Sequence, residues 1–313
     1  MSERVALPQV ERDPSLPEAI TIYEVGPRDG LQNEKATVPA ATKAAFVRRL
    51  VEAGLGTVET TSFVNPQWVP QLADAQEVLD LLGDLGRGAT RPVLVPNERG
   101  LDRALEAGVG AVAVFGSATE TFARKNLNRT VAESLEMFAP VVDRAHASGL
   151  WVRGYVSMCF GDPWEGPVPV AQVADVCARL RDLGCDQISL GDTIGTGTTG
   201  HVERLLDALE ERGIGTDVLG VHFHDTYGQA LANTLAALRR GVTVVDASTG
   251  GLGGCPYARS ATGNLATEDL VWAMDGAGVH TGVDLDALVA TSVWMAEQLG
   301  KPSPSRVVKA LAG

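Results

Sequence analysis

Strand-like and helix-like segments alternate along almost the whole of this chain, and that alternation constrains its fold more than any other feature. Eight short apolar runs read as strands: Ile20–Val25, Thr57–Phe63, Pro92–Pro96, Ala111–Gly116, Trp151–Met158, Gln187–Asp192, Val218–Asp225 and Val242–Ser248. Most are β-branched and apolar at successive positions, the pattern of strands covered on both faces of a parallel sheet. Helix-period stripes lie between them: Phe46, Val47, Leu50 and Val51; Val78, Leu79, Leu81 and Leu82; Val173, Val176, Cys177 and Leu180. Several of these segments stop at glycine (Gly54, Gly108, Gly149, Gly184, Gly241), where a left-handed residue closes a helix. Eight β/α units in about 230 residues predict an α/β fold of the (β/α)8, or TIM, barrel type. An open doubly wound sheet is the alternative, but no GxGxxG turn follows the first strand. The expected layout is an N-terminal extension (1–19), one barrel domain (20–282) and a C-terminal helical segment packed on it (283–313), with a helix from Asp284 to Leu299.

Composition narrows the function classes. A 45% hydrophobic share in 313 residues supplies a sizeable core and excludes wholesale disorder. The 26 basic residues against 39 acidic ones leave −13, which lacks the basic footprint of a nucleic-acid binder. No apolar run reaches the roughly 18–20 residues that cross a bilayer. The start, MSERVALPQVERDPSLPEA, carries charge and proline where a secretory signal needs an apolar run. Cys159, Cys177, Cys185 and Cys255 form no CxxC pair, so reduced thiols and a cytoplasmic location are expected. The expected partners are a small-molecule substrate and further copies of the chain in a homo-oligomer, with neither nucleic acid nor membrane.

Polar residues gather where a barrel places catalysis, at the C-terminal ends of its strands. Arg28 and Asp29 follow strand one, Glu59 lies in strand two, and Arg153, Tyr155 and Ser157 alternate along strand five. Asp192 ends strand six, and strand seven carries His222 and His224. Residues i and i+2 of a strand share a face, so both imidazoles can address one metal ion. Asp29 is a plausible oxygen donor beside them, although a turn aspartate before Gly30 reads equally well. Asn264 could add an amide oxygen, but its local context favours an N-cap of the following helix. Two nitrogens and two oxygens with open positions suit Mg²⁺ or Mn²⁺ better than a thiolate-rich zinc site. Cys255 follows four glycines in GGLGGCPYA, where its thiol is either a proton donor on a moving loop or a passive turn residue.

Six stretches in order carry a resemblance: EVGPRDGLQNEK (24–35), ETTSFVNPQWVPQLAD (59–74), RGYVS (153–157), SLGDTIGTGT (189–198), HFHDTYGQALANTLAAL (222–238) and GGLGGCPYARSATGNLATED (250–269). Together they resemble the 3-hydroxy-3-methylglutaryl-CoA lyases, members of a metal-dependent barrel group named for its Asp-Arg-Glu set. The resemblance implies cleavage of hydroxymethylglutaryl-CoA to acetoacetate and acetyl-CoA, a step of leucine breakdown or ketone-body metabolism. It implies Asp29, His222, His224 and Asn264 as metal ligands, which raises Asn264 above its local reading. It further implies Arg28 on the thioester oxygen, Cys255 in proton transfer, and Glu59 and Asp192 in the catalytic network. Gln32, Tyr155 and Ser157 would line the pocket. Asp29, Asp192 and His222 stay open as the acceptor of the hydroxyl proton.

The coenzyme of the implied substrate is anionic and the chain acidic, so a local basic entrance is needed. Arg124, Lys125 and Asn126, with Lys35, are candidates, and a solvated helix end explains them as well. Two places depart from the family pattern: Gln67, where lysine is common, and MCFGDPWEG after Ser157. Both point to substrate scope, for instance a longer 3-alkyl group. The rival readings are an acyltransferase or aldolase of the same barrel group, and a non-enzymatic metal-binding role.

Overall fold

The computed structural model describes residues 8–83, 89–254 and 263–312. All eight expected strands are present and pair in parallel: β1 (Thr21–Glu24), β2 in two pieces (Thr57–Val58 and Thr61–Ser62), β3 (Val93–Leu94), β4 (Ala111–Ser117), β5 (Trp151–Ser157), β6 (Gln187–Asp192), β7 (Leu219–Phe223) and β8 (Val244–Ala247). The break in β2 is what closes the ring. Its first piece pairs with β1 (Glu24 opposite Val58) and its second with β3 (Ser62 opposite Leu94). Between the pieces, the Glu59 N–H donates to Glu24 O at 2.8 Å and the Thr60 N–H to Pro92 O at 3.0 Å. β8 pairs with both β1 and β7, so the sheet is a barrel and the open-sheet alternative falls.

Strand parity builds two cores. Val112 and Val114 of β4 face outward and join Phe46, Leu50, Leu190 and Val221 in the layer between strands and helices. Ala113 faces inward with Tyr23, Val25, Leu94 and Tyr155. The helices follow their stripes: α1 (Ala40–Glu52), α2 (Ala75–Leu82), α3 (Glu98–Glu106), α4 (Glu120–Leu127), α5 (Val131–Ala147), α6 (Val170–Asp182), α7 (Thr199–Glu211), α8 (Ala230–Arg239) and α9 (Thr267–Gly276). Leu81 departs from its expected stripe and is exposed, because Val78 and Leu82 already fill the buried face of α2. None of the helices among the described residues is long and apolar enough to cross a membrane.

Both ends of the chain are tied to the barrel. The Glu11 N–H donates to Gly276 O and the Asp13 N–H to Ala277 O, the last residue and the C-cap of α9. At the other end, α10 (Leu285–Leu299) packs against α1 and α9, and α11 (Arg306–Ala312) packs against α10 and α9. Gly54 fixes the first of these contacts: its φ is +99° and an added Cβ would stand 2.2 Å from Gly282 O.

Two buried carboxyls hold the turn that follows β8. Glu24 accepts from the N–H of Gly26 and of Thr249 and from the hydroxyls of Thr249 and Thr267, all within 2.9 Å. One side chain thus joins the turn after β1, the turn after β8 and the start of α9. Glu268 accepts the Gly250 N–H at 2.9 Å, and burial pushes its carboxyl up to about 8.

Two outcomes follow. Gly54→Ala should cost roughly 1–3 kcal/mol through strain and the clash with Gly282, read as a lower thermal midpoint. For Glu268, the folded chain retains a proton that the unfolded chain releases near 4.5. The stability it contributes is complete below that value and is lost as pH rises through about 8. The midpoint should therefore fall between pH 5 and 9 by an amount that Glu268→Gln removes; identical slopes in the two proteins would refute it.

Candidate active site

The turn Gly26–Gly30 delivers two of the expected residues. The amides of Arg28, Asp29 and Gly30 all donate to Val25 O, at 3.2, 2.8 and 3.1 Å, which winds the chain into one wide helical turn at the barrel mouth. Arg28 is buried there and divides its donors. Nε binds Glu59 Oε2 at 2.6 Å and Nη1 binds Asp29 Oδ1 at 2.7 Å, while Nη2 has no bond among the described residues. The Tyr155 hydroxyl donates to the same Glu59 oxygen at 3.2 Å, and the Tyr155 ring lies 5.5 Å from the guanidinium. Burial raises the Glu59 carboxyl, and Arg28 opposes that shift. The network fixes the guanidinium plane and leaves one end of it to a ligand.

Asp29 faces β7. Burial pushes its carboxyl up, but Arg28, His222, His224 and Asn264 outweigh burial and hold it down at about 2. Asp29, His222 and His224 offer ligand atoms that all lie within 4.8 Å of one another. Burial drives His224 down to about 4, so its imidazole is neutral and its lone pair free. Its Nδ1 is buried without a hydrogen-bond partner among the described residues. Asn264 sits beside it through a backbone bridge between the two residues. The Asn264 amide nitrogen donates to Asp29 Oδ2 at 2.8 Å and to Leu252 O at 3.0 Å, and Oδ1 has no donor among the described residues. The local N-cap reading fails, since Ala266 occupies that position of α9. A carboxylate held ionised, a neutral imidazole with an orphaned nitrogen and a spare amide oxygen form a donor set that fits a divalent cation.

The remaining expected residues divide by position. Gln32 and Ser157 line a cavity of about 300 Å³ together with Arg28, Asp29, Tyr155 and both histidines. The Gln32 amide donates to Asp29 Oδ1 at 3.2 Å. Val64, Val69, Leu94, Phe115 and Phe122 form an apolar wall to the same cavity. Asp192 is turned into its own loop: its carboxylate accepts the amides of Thr196 at 3.0 Å and Gly197 at 2.9 Å, and burial raises it to about 6. Gly254 reaches the cavity, and Cys255 lies outside the described residues. Of the basic-entrance candidates, Asn126 lines the cavity. Lys125 lies over the Trp164 ring at 4.8 Å, Arg124 pairs with Glu120 at 3.8 Å, and Lys35 is exposed. Gln67 is exposed in the turn between Val64 and Val69.

Glu24, Glu268 and Asp246 are structural partners of the site that the sequence reading left without a role. A charged residue inside an otherwise apolar strand, as in Ile20–Val25 and Val242–Ser248, was the available signal for Glu24 and Asp246.

Residues 19–294 match a family model described as HMGL-like. The chain is 51% identical over 296 residues to a mitochondrial hydroxymethylglutaryl-CoA lyase of Arabidopsis thaliana, covering 95% of this chain and 63% of that protein. It is 50% identical to the mitochondrial hydroxymethylglutaryl-CoA lyase of Mus musculus, covering 95% of this chain and 90% of that one. A crystal structure of hydroxymethylglutaryl-CoA lyase from Pseudomonas aeruginosa superposes with a TM-score of 0.92 at 47% identity, covering 95% of this chain and 99% of that chain. With a match over most of its length and relatives this similar in sequence and fold, the chain belongs to the HMGL-like family.

Proposed function

We propose that this protein is a carbon–carbon lyase that cleaves 3-hydroxy-3-methylglutaryl-CoA to acetoacetate and acetyl-CoA by a metal-assisted retro-Claisen reaction. The observation that carries the chemistry is the convergence of ligand atoms of Asp29, His222 and His224 within 4.8 Å, beside a buried arginine whose Nη2 has no partner among the described residues. The choice of substrate is supported by likeness to proteins named for that activity. A related lyase structure from Acinetobacter baumannii, 34% identical with a TM-score of 0.89, is described in complex with coenzyme A and 3-methylmalate.

Asp29, His222, His224 and Asn264 would hold a divalent cation, Mg²⁺ or Mn²⁺, whose Lewis acidity at that position polarises the tertiary hydroxyl and the carboxylate. The chain's own groups do the rest. Cleavage needs the tertiary hydroxyl proton taken up, with Asp29, Asp192 and His222 as the candidate acceptors, and it places negative charge on the thioester oxygen; Arg28, a permanent cation already oriented by Glu59 and Asp29, receives that charge on Nη2. Tyr155 and Glu59 keep that guanidinium from turning away. Asp192 braces the loop at the end of β6 through its two amide contacts. Cys255 protonates the enolate carbon, a role that rests on its place in the GGLGGCPYA stretch. The apolar wall of Val64, Leu94 and Phe115 favours a second substrate scope, the longer 3-alkyl homologues. A cytosolic setting is supported by the three free, buried cysteines, Cys159, Cys177 and Cys185, although the relatives named above are mitochondrial.

Purified protein with hydroxymethylglutaryl-CoA and Mn²⁺ should yield acetoacetate and acetyl-CoA by mass spectrometry. No product from protein with metal bound would rule the reading out, and condensation of acetyl-CoA with a 2-oxo acid would favour the acyltransferase. Arg28→Gln should lower kcat by about 10²–10³, the loss typical of one oxyanion donor, while metal binding persists. Cys255→Ala should also lose most of its turnover; near-normal turnover would remove the thiol from the mechanism.

A further inference from the structure

Beneath the two histidines, in the barrel interior, lies an arginine that the proposed chemistry does not use. Arg153 is the largest fully buried side chain among the described residues. It projects from β5 across the barrel and donates from Nη2 to Asp246 Oδ1 of β8 at 2.6 Å. Its guanidinium lies between aromatic rings, 3.8 Å from the centre of Tyr23 and 4.9 Å from that of Tyr155. Gly220 makes room for it, because a Cβ there would stand 2.6 Å from Arg153 Nη2. Asp246 is buried as well, and its second oxygen accepts from Ser189 Oγ at 3.2 Å and meets His222 Nδ1 at 3.1 Å. His222 and Asp246 are register partners on neighbouring strands, so backbone pairing itself sets the two side chains together.

We infer that Arg153 and Asp246 are a positioning pair for His222, fixing its proton on Nδ1 and turning Nε2 toward the cation site. The inference rests on the reading of Asp29, His222 and His224 as metal ligands. A carboxylate facing an imidazole nitrogen accepts a proton from it, and the other nitrogen is then left with its lone pair outward. Such a partner orients a ligating histidine and strengthens it as a donor. Burying Asp246 alone would carry a large desolvation penalty, which the guanidinium offsets by direct pairing. Arg153 is fixed in turn by its ring contacts and by the space at Gly220. The orientation of one ligand thereby depends on five strands: β1, β5, β6, β7 and β8.

The test uses the full-length protein. In the metal-free wild type, nitrogen-correlated NMR of the His222 ring should show the proton on Nδ1; a proton on Nε2 would overturn the inference without any variant. Mn²⁺ titration followed by electron paramagnetic resonance should give affinities weakened about 10–100-fold in Asp246→Asn. The double variant Arg153→Met/Asp246→Asn removes both charges together, so no unpaired ion is left inside the barrel, and it should show the same loss. A folded variant that binds Mn²⁺ as the wild type does would overturn the pair's role while leaving the ligand reading intact. Absence of Mn²⁺ binding by the wild type would instead sink the ligand reading and the inference with it. A merely structural role would lower the thermal midpoint without moving the imidazole proton.

Discussion

Charge buried inside the barrel is the constraint on which the rest of this structure depends. Arg28, Glu59, Arg153 and Asp246 are all removed from water, and Asp29 nearly so. An ion in such a place is tolerated only when a partner meets it at close range. The solution is a chain of contacts: Tyr155 and Arg28 on Glu59, Arg28 on Asp29, Arg153 on Asp246, and Asp246 against His222. Asp29, held ionised beside the two histidines, places a negative charge where they converge. A site of that kind favours an added cation.

A second pair of buried carboxyls explains how one end of the barrel carries a glycine-rich connection. Gly250 and Gly251 adopt positive φ in the turn after β8, and Glu24 and Glu268 hold that turn by its backbone amides. Ser303, from the segment after α10, adds a hydroxyl bond to Gly250 O. The C-terminal helices therefore reach the base of the loop that leads to Cys255. The cavity beside it combines a polar wall of ion-pairing groups with an apolar wall, which matches a substrate with a charged head and an alkyl branch.

Much of the site was legible in the sequence, for reasons that particular residues make plain. His222 and His224 read as a pair because a strand has a period of two, and the period survives any detail of packing. Arg28 and Asp29 stood out because a polar pair directly after a buried strand falls at the catalytic end of a barrel. Asn264 was ambiguous, since its backbone bridge to His224 joins residues forty positions apart. Asp192 reads from the sequence as part of the catalytic network, but its bonds to the amides of its own loop depend on the path of residues 195–197 and are not legible there.

Local periodicity and the sterics of single residues are enough to specify the barrel, its eight strands, the helix stops at glycine and the inward-facing histidines. The six stretches together also identified the family. Which charges meet depends on contacts far apart in the chain. Arg153 reaches Asp246 across 93 positions of sequence, and Glu24 reaches Thr249 across 225. Those pairings arise from closure of the sheet through the broken second strand, which sets distant strands side by side. The energy of a buried ion depends on the partner within a few ångströms, and no local pattern records what that partner is.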